Sequence, residues 1–277
     1  MSKYAVLGNP VSHSKSPLIH SLFAKQTNQA MSYTAIPLEE GDFDDFVRSF
    51  FAEGGAGLNV TVPFKGNAFA LAASCSPRAQ LAKAVNTLFL DDEGNICGDN
   101  TDGIGLVTDI RQNNGVDLSG QRLLILGAGG AVRGALAALV YEQVATITVV
   151  NRTLAKAEAL VDEFESMAAV EALSYEALQD SANQGRSFDL IINGTSSSLQ
   201  GEMPQLDGSL LADGCCCYDL MYAASDTPFL QWAKQQGAAP SIDGLGMLVE
   251  QAAEAFALWR GVRPNTAPVI AELRVQA

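Results

Sequence analysis

Leu123-Leu124-Ile125-Leu126-Gly127-Ala128-Gly129-Gly130-Ala131-Val132-Arg133-Gly134 is an apolar run that passes directly into a glycine-rich turn and then an alanine-rich segment. Strand, tight turn and helix start follow one another in that order. Gly127 permits the sharp turn, Gly129 lets backbone approach a pyrophosphate, and the N–H groups at the helix start point at its charge. Val132 stands where a Gly-x-Gly-x-x-Gly pattern would have its last glycine, so the motif is a Gly-x-Gly-Gly-Ala variant (Gly127, Ala128, Gly129, Gly130, Ala131). Sites for NAD place an acid about 20 residues further on to bond the ribose 2′-hydroxyl. Here the next strand ends in Val149-Val150-Asn151-Arg152-Thr153, with Lys156 one turn later and no acid. A guanidinium and an ammonium meet a dianionic 2′-phosphate well, and an acid would repel it. The pattern therefore selects NADP. The plainer alternative is that Arg152 and Lys156 are solvated charges and Thr153 a helix cap.

Working outward, the alternation of strand and helix extends both ways. Before the glycine turn lie strands at Tyr4–Gly8, Ser32–Leu38 and Ala56–Val62. Helices fall between them, one opened by Ser16 as N-cap with Pro17 in the first turn, one amphipathic from Phe43 to Phe51. A hairpin turns at Asp91-Asp92-Glu93-Gly94, and a helix near Asp102–Asn113 links the two halves. After Leu126 come helix Ala131–Glu142, strand Thr146–Val150, helix Thr153–Met167, strands near Leu190–Asn193 and Cys215–Leu220, and helices Leu245–Trp259 and Thr266–Val275. Repeated β-α-β units predict an α/β fold with mainly parallel sheets and helices on both faces. Two domains are expected, 1–101 completed by 245–277, and a Rossmann-type domain over 102–244.

Composition narrows the partners. A chain of 277 residues with 48% hydrophobic and 17% charged residues is globular. A net charge of −14 opposes nucleic acid and anionic membrane surfaces. No apolar stretch reaches spanning length or the form of a secretory leader. The five cysteines include Cys215, Cys216 and Cys217 in succession, and the two histidines are His13 and His20. No Cys/His cluster has ligand spacing, so no metal is expected, and a reducing cytoplasm is. The cysteine triplet reads as buried strand filler.

Three polar clusters interrupt the first half. In Asn59-Val60-Thr61-Val62-Pro63-Phe64-Lys65, Asn59 and Thr61 share one strand face, and Lys65 follows at the strand end, where parallel-sheet sites open. Gly98-Asp99-Asn100-Thr101-Asp102-Gly103 is a polar knot before a helix. Ser12-His13-Ser14-Lys15-Ser16-Pro17 offers hydroxyls and free N–H groups at a helix start, a place for a carboxylate. Taken singly, Asp102 reads equally as a helix cap and Lys65 as a surface lysine. A capping motif explains Ser16 and leaves Ser14 without a role.

Together with Ala84-Val85-Asn86-Thr87, Asn151-Arg152-Thr153 and Asp243-Gly244-Leu245-Gly246-Met247-Leu248-Val249-Glu250-Gln251, these motifs run the length of the chain in an order that closely resembles the shikimate dehydrogenase family. The resemblance implies reversible reduction of 3-dehydroshikimate by NADPH, a step towards chorismate and the aromatic amino acids. It implies Lys65 and Asp102 as the catalytic pair and Ser14 and Ser16 on the substrate carboxylate. Asn59, Thr61, Asn86, Asp102 and Gln251 would read the ring hydroxyls. In Tyr218-Asp219-Leu220-Met221-Tyr222, it implies Tyr222 for substrate and Leu220 for cofactor; Thr195, after Asn193-Gly194, and Gly244 would line the nicotinamide side. An ammonium beside a carboxylate stays charged, while burial works the other way. Lys65 is taken as acid/base and Asp102 as its orienter, although sequence leaves open which of the two moves the proton. The reaction is expected in a cleft that closes on binding, in a monomer or homodimer. Two positions depart from the family: Ser76-Pro77-Arg78, where relatives often carry an acid, and Ser198, where many have glycine. The rival readings are a quinate/shikimate dehydrogenase using NAD and a metabolite sensor without turnover.

Overall fold

The computed structural model describes residues 1–195, 197 and 202–275. It comprises two compact units, Met1–Gly105 with Leu248–Val275, and Leu106–Met247.

In the first unit β1 (Ser2–Gly8) carries the buried run Tyr4–Leu7, apolar on both faces as a covered parallel strand must be. It pairs in parallel with β2 (Met31–Pro37) and β3 (Gly55–Val60). The crossovers are α1 (Ser16–Gln26) and α2 (Phe43–Ala52). α2 buries Phe43, Val47 and Phe51, spaced one turn apart on one face; each such side chain stabilises the unit by about 2 kcal/mol. Next come α3 (Lys65–Leu71), β4 (Ser74–Cys75), α4 (Pro77–Ala82), β5 (Thr87–Leu90) and β6 (Ile96–Asp99). The six-stranded sheet has the order β2-β1-β3-β5-β6-β4. β5 runs antiparallel to both neighbours because a short hairpin, held by Asp91 Oδ1 accepting from the Glu93 and Asn95 N–H groups, joins it to β6. α5 (Asp102–Thr108) crosses into the second unit and runs on as a π-helical turn over Asp109–Asn113.

The second unit alternates β7 (Arg122–Leu126), α6 (Gly130–Leu139), β8 (Thr146–Val150), α7 (Leu154–Val161), β9 (Val170–Leu173), α8 (Tyr175–Asn183) and β10 (Phe188–Asn193). β11 (Leu211–Asp219), α9 (Pro228–Gln235) and β12 (Ser241–Asp243) complete it. All its strands are parallel, in the order β12-β11-β10-β7-β8-β9. Chain order reverses between β7 and β10, the switch point at which such sheets bind ligands beyond their carboxyl ends. α10 (Leu245–Arg260) then returns the chain to the first unit, followed by α11 (Ala267–Val275). Cys215, Cys216 and Cys217 are buried and unbridged on β11.

Several local expectations are corrected. Ser16 is not the N-cap of α1 but its first residue; the Ser16 N–H donates to Ser14 Oγ at 3.2 Å, which accounts for the second serine. β3 stops at Val60, so Thr61 does not share a strand face with Asn59, although its N–H still donates to Leu7 O. Lys65 does follow the end of β3, and there it opens α3, a helix that was not expected. α7 ends at Val161, short of Met167. Ser198 lies outside the described residues.

Candidate active site

Polar side chains converge at the carboxyl end of β3, the amino end of the antiparallel β5 and the start of α5. Lys65 Nζ donates to Asp102 Oδ2 at 2.6 Å, with the two side chains 30% and 16% exposed. The other carboxylate oxygen, Asp102 Oδ1, accepts from Asn86 Nδ2 at 2.9 Å. Asp102 does not cap α5, since Asn100 Oδ1 does so by accepting the Asp102 N–H. Its carboxylate is thus left to Lys65 and Asn86, and the ammonium keeps further protons for another acceptor.

The Asn86 amide has one possible orientation. Its Oδ1 accepts from the Thr101 N–H at 2.9 Å and from Thr87 Oγ1 at 2.9 Å, so Nδ2 must face Asp102. Gln251 is fixed in the same way. Its Nε2 donates to Leu248 O, turning Oε1 towards Thr101 Oγ1 and Asn86 Nδ2. Asn59, buried on β3, spends its amide inside the protein. Its Nδ2 donates to Asn86 O and Thr87 Oγ1, and its Oδ1 accepts from the Tyr33 hydroxyl at 2.7 Å. Ser14, Ser16 and Thr61 are partly or fully buried, and Thr61 Cγ2 lies where a Cβ on Gly8 would stand, at 2.5 Å.

The segment Ser76-Pro77-Arg78 serves the loop that carries Asp102. Ser76 caps α4 by accepting from the Ala79 N–H, and its hydroxyl donates to Asp99. Arg78 bonds both Asp99 oxygens and also Glu254 on α10. Burial pushes the Asp99 carboxyl up, but Arg78 and Ser76 outweigh it and hold the group below its ordinary value.

In the second unit the glycine turn sits at the switch point. Gly127 has φ +106°, and a Cβ there would stand 3.0 Å from Gly194 O, so only glycine fits. A Cβ on Gly129 or Gly130 would meet nothing within 4 Å: the backbone faces open space. α6 has no side-chain cap and no acid in its first turn, so its leading N–H groups are left for an anion. Thr153 occupies the N-cap position of α7 without a capping bond, while Asn151 Nδ2 donates to Thr153 O. Arg152 and Lys156 are exposed, and among the described residues neither has an ion-pair partner. This donor set fits a dinucleotide with a 2′-phosphate.

Around the ends of β10 and β11, Asn193 Oδ1 accepts from the Thr195 N–H and hydroxyl, and Asn193 Nδ2 donates to Asp219. Asp219 also accepts from the Met221 N–H and Thr227 Oγ1. Gly244 lies against the Leu220 carbonyl, where a Cβ would come to 2.2 Å. Burial and the nearby Asp243 push the Tyr222 phenol up. Sequence reading overlooked Asp219 and Thr227, Thr87 and Thr101 as orienters, and Tyr33. Thr87 and Thr101 each follow or precede a polar residue at a strand end, which is a usable signal; Tyr33 inside β2 carries none. Among the described residues no group of three or more His, Cys, Asp or Glu is placed to hold a metal, and no helix is long and apolar enough to cross a membrane.

A parallel sheet with a glycine turn at its switch point, in one chain with a lysine–carboxylate pair, defines the class of dinucleotide-dependent dehydrogenases. Residues 6–88 match the shikimate dehydrogenase substrate binding domain, residues 109–200 match shikimate/quinate 5-dehydrogenase, and residues 244–274 match the shikimate 5′-dehydrogenase C-terminal domain. The shikimate dehydrogenase (NADP(+)) of Aeromonas salmonicida (strain A449) is 55% identical over 274 residues, 99% of this chain and 98% of that one. An Ael1 enzyme from Pseudomonas putida superposes with a TM-score of 0.92 at 48% identity, over 99% of this chain and 98% of that one. Shikimate 5-dehydrogenase from Thermus thermophilus, solved with NADP(H) and shikimate, gives 0.86 at 31% identity over 100% of both. The chain belongs to the shikimate dehydrogenase family.

Proposed function

We propose that this chain interconverts 3-dehydroshikimate and shikimate with NADP, using Lys65 as acid/base and Asp102 as its orienting partner. The observation that carries the reading is the 2.6 Å contact of Lys65 Nζ with Asp102 Oδ2, with Asn86 on the second oxygen. When bound, reduced nicotinamide supplies a hydride to the substrate carbonyl carbon. Lys65 gives a proton to the carbonyl oxygen, completing the CH–OH group, and takes it back in the oxidative direction. Asp102 holds the ammonium in place and accepts from a ring hydroxyl.

Ser14 and Ser16 take the substrate carboxylate, and Thr61, Asn86 and Gln251 read hydroxyls. A substrate lacking one of these would leave buried polar groups unpaired, which is the physical source of selectivity. Tyr222 is a further substrate contact. Gly127, Ala128, Gly129, Gly130 and Ala131 cradle the pyrophosphate; Asn151, Arg152, Thr153 and Lys156 take the 2′-phosphate; Thr195, Leu220 and Gly244 contact the nicotinamide half. Arg152 and Lys156, without ion-pair partners among the described residues, favour NADP over NAD. Substrate binding is assigned to the first unit and cofactor binding to the second. The setting is the cytoplasm, which unbridged cysteines suit, and the product feeds chorismate and aromatic amino acid biosynthesis.

The test is cofactor reduction followed by absorbance with shikimate or quinate, each with NADP or NAD. Turnover with shikimate and NADP is expected to dominate. Turnover only with NAD would overturn the cofactor assignment, and none in any combination would leave a sensor.

A further inference from the structure

Tyr33 is not among the groups assigned to chemistry, yet its hydroxyl stands at a junction. It donates to Asn59 Oδ1 at 2.7 Å. Burial pushes the phenol well above its ordinary value. From Asn59 the bonds continue without a gap through Thr87 Oγ1 to Asn86 Oδ1, and from Asn86 Nδ2 to Asp102 Oδ1. The ring is held by stacking on His20, with centroids 4.2 Å apart and planes 9° from parallel.

Direction matters at every link. A phenol has one proton, and here it goes to Asn59 Oδ1, which turns Asn59 Nδ2 towards Asn86 O and Thr87. With its lone pair occupied by Asn59, the Thr87 hydroxyl donates to Asn86 Oδ1. That bond and the Thr101 N–H hold the Asn86 amide with its donor side towards Asp102. All these groups lie within the first unit.

We propose that Tyr33 is a positioning residue: its single hydroxyl fixes the chain of amides and hydroxyls ending on Asp102. Tyr33 thereby acts on the proton-transfer end through Asn59, Thr87 and Asn86. The same geometry makes Asn59 a link in this chain rather than a hydroxyl reader. This rests on the functional reading above.

Tyr33→Phe keeps the ring and its stack on His20 and removes only the hydroxyl. The expected result is a fall in kcat of about tenfold and a rise in shikimate KM of about threefold, with the KM for NADP unchanged. In an Asn86→Ala background the same change should lower kcat by less than about twofold, because the chain is already cut. In isotope-labelled protein without ligands, the side-chain amide NMR signals of Asn59 and Asn86 should shift or broaden in Tyr33→Phe. Kinetic constants and amide signals like those of the unsubstituted protein would overturn the proposal, as would an undiminished kcat effect in the Asn86→Ala background. If the unsubstituted protein fails to oxidise shikimate, the functional reading falls, and the amide signals alone still decide whether Tyr33 orders the network.

Discussion

The two units build their sites from opposite materials. In the first unit the proposed chemistry falls to side chains whose donors and acceptors are already spent on each other: Asn59, Asn86, Thr87, Thr101 and Asp102 form a closed network with Lys65 on its rim. In the second unit the ligand-facing groups are backbone N–H groups over open space and two cations without ion-pair partners among the described residues. The difference follows from the tasks. Proton transfer needs an acid/base fixed in direction before the substrate arrives. Holding a polyanion needs only positive potential and donors with nothing better to bind.

The comparison is broken most severely at Lys65. Lys65→Ala should lower kcat about 10³-fold while cofactor affinity is retained; steady-state kinetics with near-normal turnover would remove Lys65 from the proton step. Next, Arg152→Ala combined with Lys156→Ala should raise the KM for NADP about 30-fold and leave that for NAD nearly unchanged, as two charge-assisted contacts predict. An equal loss for both cofactors would place these cations away from the 2′-phosphate.

His20 probes the locked side through pH. Burial lowers its pKa from 6.5 to about 3, and among the described residues neither ring nitrogen has a hydrogen-bond partner. A depressed histidine leaves stability intact above its unfolded value and withdraws it as pH falls from 6.5 towards 3. His20→Phe should therefore shrink the stability difference between neutral pH and about pH 5 by about 2 kcal/mol, read from urea midpoints. An unchanged difference would mean that His20 is protonated in the fold. The smallest effect belongs to Gly129→Ala. Its φ of −88° suits any residue and its Cβ meets nothing, so the unliganded melting temperature should hold. NADP affinity should fall about fivefold, because the methyl group would stand where a phosphate approaches. Equal affinity would move the pyrophosphate elsewhere.

What the amino-acid sequence revealed follows the same division. The strand–glycine–helix turn and the cations after β8 are legible because a backbone conformation and a charge at a fixed offset need no tertiary context. The alternation of elements was also readable, although β4, β9 and β12, too short to show a period, passed unnoticed, as did α3, α4, α8 and α9. In the first unit the polar residues could be named, but not the bonds between them. Nothing in Met31–Pro37 singles out Tyr33, whose partner Asn59 lies on another strand and whose ring partner His20 lies on α1. Ser16 as an N-cap failed for a related reason: in Ser-x-Ser-Pro either serine can face the helix start, and here Lys15 stands at the N-cap position while Ser14 Oγ accepts the Ser16 N–H.

The three thiols of β11 carry a practical consequence. Burial drives the Cys216 thiol up to about 12, the neighbouring Cys215 and burial raise Cys217, and all three side chains are sealed in the sheet of the second unit. Alkylating reagents attack thiolates that they can reach, so labelling here must wait for the nucleotide half to open. The molecule thus contains its own clock for that event, and a bound dinucleotide should slow it.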